Sequence, residues 1–549
     1  MRRPDATTWT AWALAALLVA FAVGPIVGLV SRGVLDPEIL RRELQSAGAM
    51  AAVWATLRTS LGATLVAVVL GVPLAFLLER TNLAGRRLFA LAFTSLIALP
   101  PFILGMGWIQ LASPTAGYLN RAGSWVDIYG APGIAFVTGT SGLPLVILAT
   151  QAALARVDSS LEEAARMSGA SPLRAIRDAT LPLVLPAIVS GALLVFLSAS
   201  AAFGVPYMLG VATATPMHVL TTRIYTHLLK GGASGLAEAS AASAILLVIA
   251  MVALAGSAVA GRRGRVRLSA GKGVVVQRLD LGRYRWPLSV AVALVAFVIV
   301  VLPLAAVVVT SLLANASLPI AVESFTTAHW HEVLLNHRTV SAALRSFALA
   351  GVTGLVVCVL GLVIGVTRSR FSGRAAEQLA LWPYAVPGTV VAMALLTVYS
   401  MDIRFIAVDR VAVVLSLANT LTMVLLAYVA KYLAIGSRNV VDGMNQLDPT
   451  LAEAARLCGA SPRRAFVDVV LPRLRGPLTA TFVLTFLLCV TELTMSVLIA
   501  PPGRDLLGTL LFDLQSYADP ASASVLACAV VLVVVLGLAF TSLAPRSRA

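Results

Sequence analysis

Glu163 and Glu453 stand 290 positions apart within nearly the same run of residues, the strongest chemical signal in this 549-residue chain. Residues 161–182 read LEEAARMSGASPLRAIRDATLP and residues 451–472 read LAEAARLCGASPRRAFVDVVLP; aligned without gaps, 14 of 22 positions are identical. Neither copy pairs a nucleophile with a base, so the repeat points to a shaped contact surface rather than a reaction centre. Elsewhere there is no G-x-x-x-x-G-K-[ST] loop to cradle nucleotide phosphates and no H-E-x-x-H pair. His329, His331 and His337 lie close in sequence, but unequal spacing without a fixed scaffold reads as a solvated loop rather than a metal site. Cys358, Cys489 and Cys528 fall in apolar stretches and Cys458 in a basic one, which gives neither a disulfide framework nor a CxxC site. One acid, Glu492, stands in the apolar stretch 482–500.

The repeated segment carries its own helix punctuation. Ser160 and Glu163 have capping-box spacing, so a short helix is expected from about Leu161, with Gly169 as its left-handed stop. Ser171-Pro172 restarts a helix, serine as cap and proline at the first helical position, and that helix is expected to end before Pro182. Thr450 with Glu453, Gly459, Ser461-Pro462 and Pro472 repeat the grammar. Two short helices at an angle should result, each about 13 Å long if nine residues form it.

The elements that carry these loops belong in lipid. The chain is 59% hydrophobic and 12% charged, against about 25% charged in soluble domains. Twelve stretches have the roughly 20 apolar residues that a span needs: about 9–31, 56–78, 88–112, 131–153, 182–203, 239–260, 287–313, 344–366, 379–400, 411–433, 474–500 and 523–545. Helices rather than barrel strands fit these lengths, so the expected fold class is an all-α polytopic membrane protein. Basic residues gather in alternate loops, at Arg86 and Arg87, Arg174 and Arg177, Arg262 and Arg263, Arg368 and Arg374, and Arg463 and Arg464, which places both termini in the cytoplasm. The net charge of +16 is therefore a topology signal; no basic groove with interleaved aromatics suggests nucleic acid. Six spans per half keep the two copies facing the same way. The organisation reads as a first transmembrane module, 1–260, with its loop at 155–182; a basic solvated linker, 261–286; and a second module, 287–549, with its loop at 438–472. Weaker echoes pair Gly85-Arg86 with Gly373-Arg374, and Leu99-Pro100 with Val386-Pro387.

The repeat resembles the E-A-A-x3-G-x9-I-x-L-P signature of ATP-binding cassette (ABC) importer permeases. Glu163, Ala164, Ala165, Gly169, Leu181 and Pro182 match it in the first copy, and Glu453, Ala454, Ala455, Gly459, Val469, Leu471 and Pro472 in the second. The first copy departs at Ala179, where a bulky aliphatic residue is usual. The resemblance implies two tandem six-helix type I (MetI-like) modules whose loops are coupling helices seated on ATPase subunits. It also implies two such ATPases, a periplasmic or lipid-anchored solute-binding protein, a bacterial inner-membrane location, and no cofactor on this chain, with ATP used by the partners. The fused arrangement is similar to the ferric-iron branch, as are Thr491-Glu492-Leu493-Thr494, Leu498–Gly503, Phe203–Tyr207 and Leu220–Tyr225. Ferric iron is thus the expected solute, with thiamine, phosphonate, sulfate or polyamine as alternatives within the class.

A secondary transporter would also have two six-span halves, but it should show ionisable residues at mid-bilayer and discontinuous helices around a central site. Glu492 is the main charge within the spans, and a charge at the bilayer centre costs about 2.5–3.5 kcal/mol. Two readings of it stand open. It reaches outer water or pairs with a basic group between helices, or it faces the translocation path and receives a cationic solute. Its repeat counterpart is Ala202, so either role is one-sided.

Overall fold

A computed structural model describes residues 6–543 except 36, 124, 159, 214, 269–277, 317–320, 369–370, 401–402, 408–409, 416, 449 and 518. The termini expected in the cytoplasm, residues 1–5 and 544–549, lie outside the described residues. Nine described helices are long and apolar enough to cross a membrane, and two bent helix pairs bring the count to as many as 11.

The departures from twelve continuous spans have local causes. The third is two helices, Arg86–Ser95 and Pro101–Ala112, because Pro100-Pro101 removes two backbone donors in succession. The ninth breaks by 109° between Ala385 and Gly388, where Pro387 disfavours helical geometry at Val386. The echo Leu99-Pro100 and Val386-Pro387 therefore marks the same break in each half. The tenth begins at Leu421 rather than 411, set by Thr420, whose side chain accepts from the Met423 N–H. Ahead of it, Ile403–Ala407 and Arg410–Leu415 pair as an antiparallel hairpin, the one β element among the described residues. The other named elements among the described residues are helices, joined by loops with two isolated bridges, Thr81–Leu279 and Leu313–Phe325.

In the basic segment 261–286, residues 278–286 are ordered and exposed or half-buried. The sixth helix, Gly232–Leu268, runs into it. At its other end the Leu279 N–H donates to Arg80 O (2.8 Å), the Asn82 N–H to Leu279 O (3.2 Å), and Asn82 Nδ2 to Asp280 Oδ1 (2.5 Å). Entry to the second half is thus fastened to the loop after the second span.

The halves interlock. Helix Ala6–Leu18 packs on Phe371–Ala385, and Gly24–Leu35 on Gly388–Tyr399; reciprocally, Leu302–Ser311 packs on Pro101–Ala112. Tyr399 donates to Ala20 O (2.7 Å), and the Tyr118 and Thr310 hydroxyls meet at 2.6 Å. The reciprocal contact requires Gly107, where a Cβ would lie 2.2 Å from Pro303 O. Matched bonds expose the internal symmetry: the Leu220 N–H donates to Thr56 Oγ1 and the Leu507 N–H to Ser346 Oγ, both at 2.8 Å. Where the halves meet, Phe512 of the second packs among Phe102, Phe203, Tyr207 and Tyr225 of the first, with ring centroids 4.8–6.2 Å apart.

Candidate functional site

Each repeated loop opens with an eight-residue helix, Ser160–Met167 or Thr450–Leu457. The cap falls two residues earlier than the capping-box spacing suggests. Asp158 Oδ1 accepts from the Ser160 N–H and Asp448 Oδ1 from the Thr450 N–H, each at 3.0 Å. An aspartate competes well for this position because its charge also meets the positive end of the helix. The helices stop as expected, at Gly169 (φ +88°) and Gly459 (φ +90°). The Ala170 and Ala460 N–H groups then turn back onto Ala165 O and Ala455 O, both at 3.0 Å.

Ser171 Oγ accepts from the Arg174 N–H (3.4 Å) and Ser461 Oγ from the Arg464 N–H (3.3 Å), which restarts a helix at Pro172 and Pro462. The expected stop before Pro182 does not occur. A π-helical turn, Ile176–Thr180, widens the spiral ahead of Leu181-Pro182, and the chain continues into helix Leu181–Ala201. The wide turn makes room for a proline ring that would otherwise clash one turn back. In the second half Phe466–Val470 forms the same turn, and Leu471-Pro472 leads to a 63° bend before Arg475–Val490.

Two matched surfaces result. Glu163, Ala164, Gly169, Glu453, Ala454 and Gly459 are exposed, and Ala165, Ala455, Leu181 and Leu471 are half-buried, Leu181 against the apolar cluster that includes Ala153, Leu154 and Val184. At each helix end a large apolar side chain projects free of the protein: Met167 is 90% exposed and Leu457 89%. Sequence reasoning passed over both because a lone apolar residue on a surface is ordinary. Their shared place in the repeat is the signal that was available.

Within the spans, Glu492 closes the gap between helices Arg475–Val490 and Thr494–Ile499. Its Oε1 accepts from the Met495 N–H (3.0 Å) and its Oε2 from the Tyr432 hydroxyl (2.5 Å). A second intramembrane charge, Lys431, falls at the edge of the expected span 411–433 but near the middle of the helix Leu421–Asn445. Lys431 Nζ donates to Tyr384 O (3.1 Å) and to Val386 O, carbonyls released by the break in the ninth span. Lys431 therefore meets the negative end of one broken helix and Glu492 the positive end of another. Broken helices and half-buried intramembrane charges, expected of a secondary transporter, are both present here as helix caps.

His329 and His331 lie on helix Ala328–Leu335 rather than on a loop, and His337 starts the next helix. Among the described residues, no group of three or more His, Cys, Asp or Glu side chains is placed to hold a metal. At the end of the bundle away from the repeated loops, buried Glu43 accepts from Arg223 Nε (2.6 Å) and Nη2 (3.1 Å) and faces His227 Nε2 at 3.4 Å. Burial alone would raise the Glu43 pKa, but the adjacent His227 and the two bonds from Arg223 outweigh it and hold the carboxyl at about 2.

The geometry defines a multi-pass helical membrane protein made of two like halves, each presenting one exposed loop of the same shape. The model of the binding-protein-dependent transport system inner membrane component family matches residues 67–263 and 358–547, more than half of the sequence, and the chain belongs to that family. It is 28% identical, over 85% of either chain, to an Fe(3+)-transport system permease protein of Haemophilus influenzae. Against a ferric transport system permease protein of Actinobacillus pleuropneumoniae, identity is 25% over 84% of this chain and 66% of the relative. A molybdate/tungstate transport system permease protein of Thermococcus kodakarensis matches 37% of this chain at 29% identity and covers 78% of its own length. The chain is an ABC importer permease, whose family works with ATP-hydrolysing and solute-binding subunits.

Proposed function

We propose that this single chain is the complete permease of a ferric-iron importer, with one ATPase seated on each repeated loop and a solute-binding protein at the opposite end. The observation that carries this reading is the pairing of Met167 and Leu457, two almost fully exposed apolar side chains on identically capped helices. Closure of the ATPases on ATP moves both loops together, the spans open outward to receive the solute, and hydrolysis returns them. ATP binds to the partners and no cofactor is held by this chain. Both termini lie on the ATPase side. The ferric assignment is supported by the relatives that match both halves and are named for ferric transport. Molybdate is the second reading, favoured by the single-module relative.

Native mass spectrometry of the purified complex is expected to give one copy of this chain with two nucleotide-binding subunits. Two copies of the chain per complex would contradict the fused-permease reading. Uptake of labelled ferric iron, molybdate, thiamine and phosphonate in a strain lacking the chain then separates the solutes.

Glu492 enters this mechanism as a residue on the solute's route, beside the small cavity that Thr491 and Leu493 line with Pro100 and Phe102 across the junction of the halves. Glu492→Gln deletes the charge a cation would meet. It also leaves one acceptor where Tyr432 and Met495 use two, a loss of about 1–2 kcal/mol. Ferric uptake is expected to fall severalfold at unchanged membrane level. Unaltered uptake with a lowered melting temperature would leave Glu492 as a helix cap alone.

A further inference from the structure

The two coupling loops are alike in backbone but not in how they are held. Arg80 ends helix Ala47–Arg80 and is 1% exposed; Glu162, on the residue before Glu163, is 7% exposed. Arg80 Nη2 donates to Glu162 Oε1 (3.1 Å) and to Val157 O (3.2 Å). The same Glu162 oxygen accepts from Thr180 Oγ1 at 2.5 Å. One carboxylate thus joins the end of the second span, the coupling helix and the turn that enters the fifth span. The Arg80 Nε and Nη1 atoms are buried without a hydrogen-bond partner, so Glu162 is the anion that balances this guanidinium. A charge pair so enclosed resists separation far more than an exposed one, because either partner alone would be a buried, uncompensated ion. Arg80 O also accepts from Leu279 N, which fastens the entry to the second half at the same point.

The second half lacks the carboxylate and the hydroxyl of this arrangement. In the repeat, Ala452 stands for Glu162 and Val470 for Thr180. The repeat pairs Arg80 with Arg370, which lies outside the described residues; nearby Arg368 meets Glu377 (2.9 Å) and Asn445 (3.1 Å) rather than the coupling loop. Among the described residues, no side-chain hydrogen bond or ion pair runs from Thr450–Leu457 to a span.

We propose that Arg80 and Glu162 form a buried strut that makes the first coupling loop a rigid lever and leaves the second compliant, so that ATPase motion enters the permease mainly through the first half. Arg80, Glu162 and Thr180 are positioning residues in this scheme. The mechanical asymmetry rests on the importer reading only for its consequence, and the two arms of the test separate them. In the assembled complex, Arg80→Leu with Glu162→Leu removes both charges at similar bulk. Uptake per ATP hydrolysed is expected to fall at least tenfold at wild-type membrane level and ATPase recovery. Arg368→Leu with Glu377→Leu in the second half is expected to stay within twofold. Equal losses in the two halves, or a first-half variant within twofold of wild type, overturn the proposal.

The second arm needs no strut variant and no ATPase. In the full chain freed of its other cysteines, spin labels at Ser168 and Arg87 report the first loop against its bundle. Labels at Cys458 and Arg374 report the second. The first distance distribution is expected to be the narrower, and equal widths, or a broader first distribution, overturn the strut. Failure of any ATPase to associate would sink the importer reading while these distances still decide the asymmetry.

Discussion

Replacing Gly169 and Gly459 together by valine is expected to abolish ATP-driven uptake while the chain remains folded in the membrane. Both glycines hold positive φ, +88° and +90°, and a Cβ at either would meet nothing within 4 Å. No packing clash accompanies the change, so its whole effect falls on the backbone. A side chain in the left-handed region costs about 1–2 kcal/mol, and a β-branched one sits there worst of all. The turn relaxes, Ala170 and Ala460 lose their bonds to Ala165 O and Ala455 O, and the short helices swing away from their seats. With both loops strained, the competent pose is depleted by roughly 30-fold to nearly 1,000-fold. Reconstituted uptake, read beside the melting temperature of the variant, checks this. Normal uptake by a stably inserted double variant would remove these turns from the coupling path.

These turns were legible in the sequence because Gly-Ala-Ser-Pro leaves little conformational choice, and because the grammar occurs twice. The span count was less legible. Hydropathy registers how much apolar residue a stretch contains and is blind to direction, so Pro100-Pro101 and Pro387 each divided an apolar stretch without lowering its score. The tenth span was displaced because Arg410–Leu415 is β-branched and apolar, which serves a strand as well as a helix start. That shift hid Lys431, whose place is intelligible only beside the carbonyls that the broken ninth span releases. Arg80 and Glu162 lie 82 positions apart, and both belong to basic or acidic runs at loop edges, where the ordinary expectation is solvation. Nothing short of the fold brings them together. The identity of the two loops was therefore readable from one dimension, whereas their difference required three.

Replacing Met167 and Leu457 together by aspartate should release the ATPases altogether. Each side chain is about nine-tenths exposed in the permease, so neither contributes to its core, and the variant should reach the membrane at the wild-type level. Seated in a partner's groove, a Met or Leu side chain gains about 1.5–3 kcal/mol from leaving water. An aspartate forfeits that gain and adds the penalty of bringing a carboxylate into an apolar seat, several kcal/mol when no cation meets it. Each site thus loses at least about 3 kcal/mol, roughly two orders of magnitude in the affinity for its own ATPase. Co-purification of the ATPase should be lost in the double variant. One subunit per chain should be retained when only Met167 or only Leu457 is changed. Met167→Leu, which keeps the apolar bulk and borrows the residue found in the other copy, should keep both. Undiminished recovery of two ATPases by the double aspartate variant would mean that these helices are not the seats, and the docking surface would have to be sought among the flanking arginines instead.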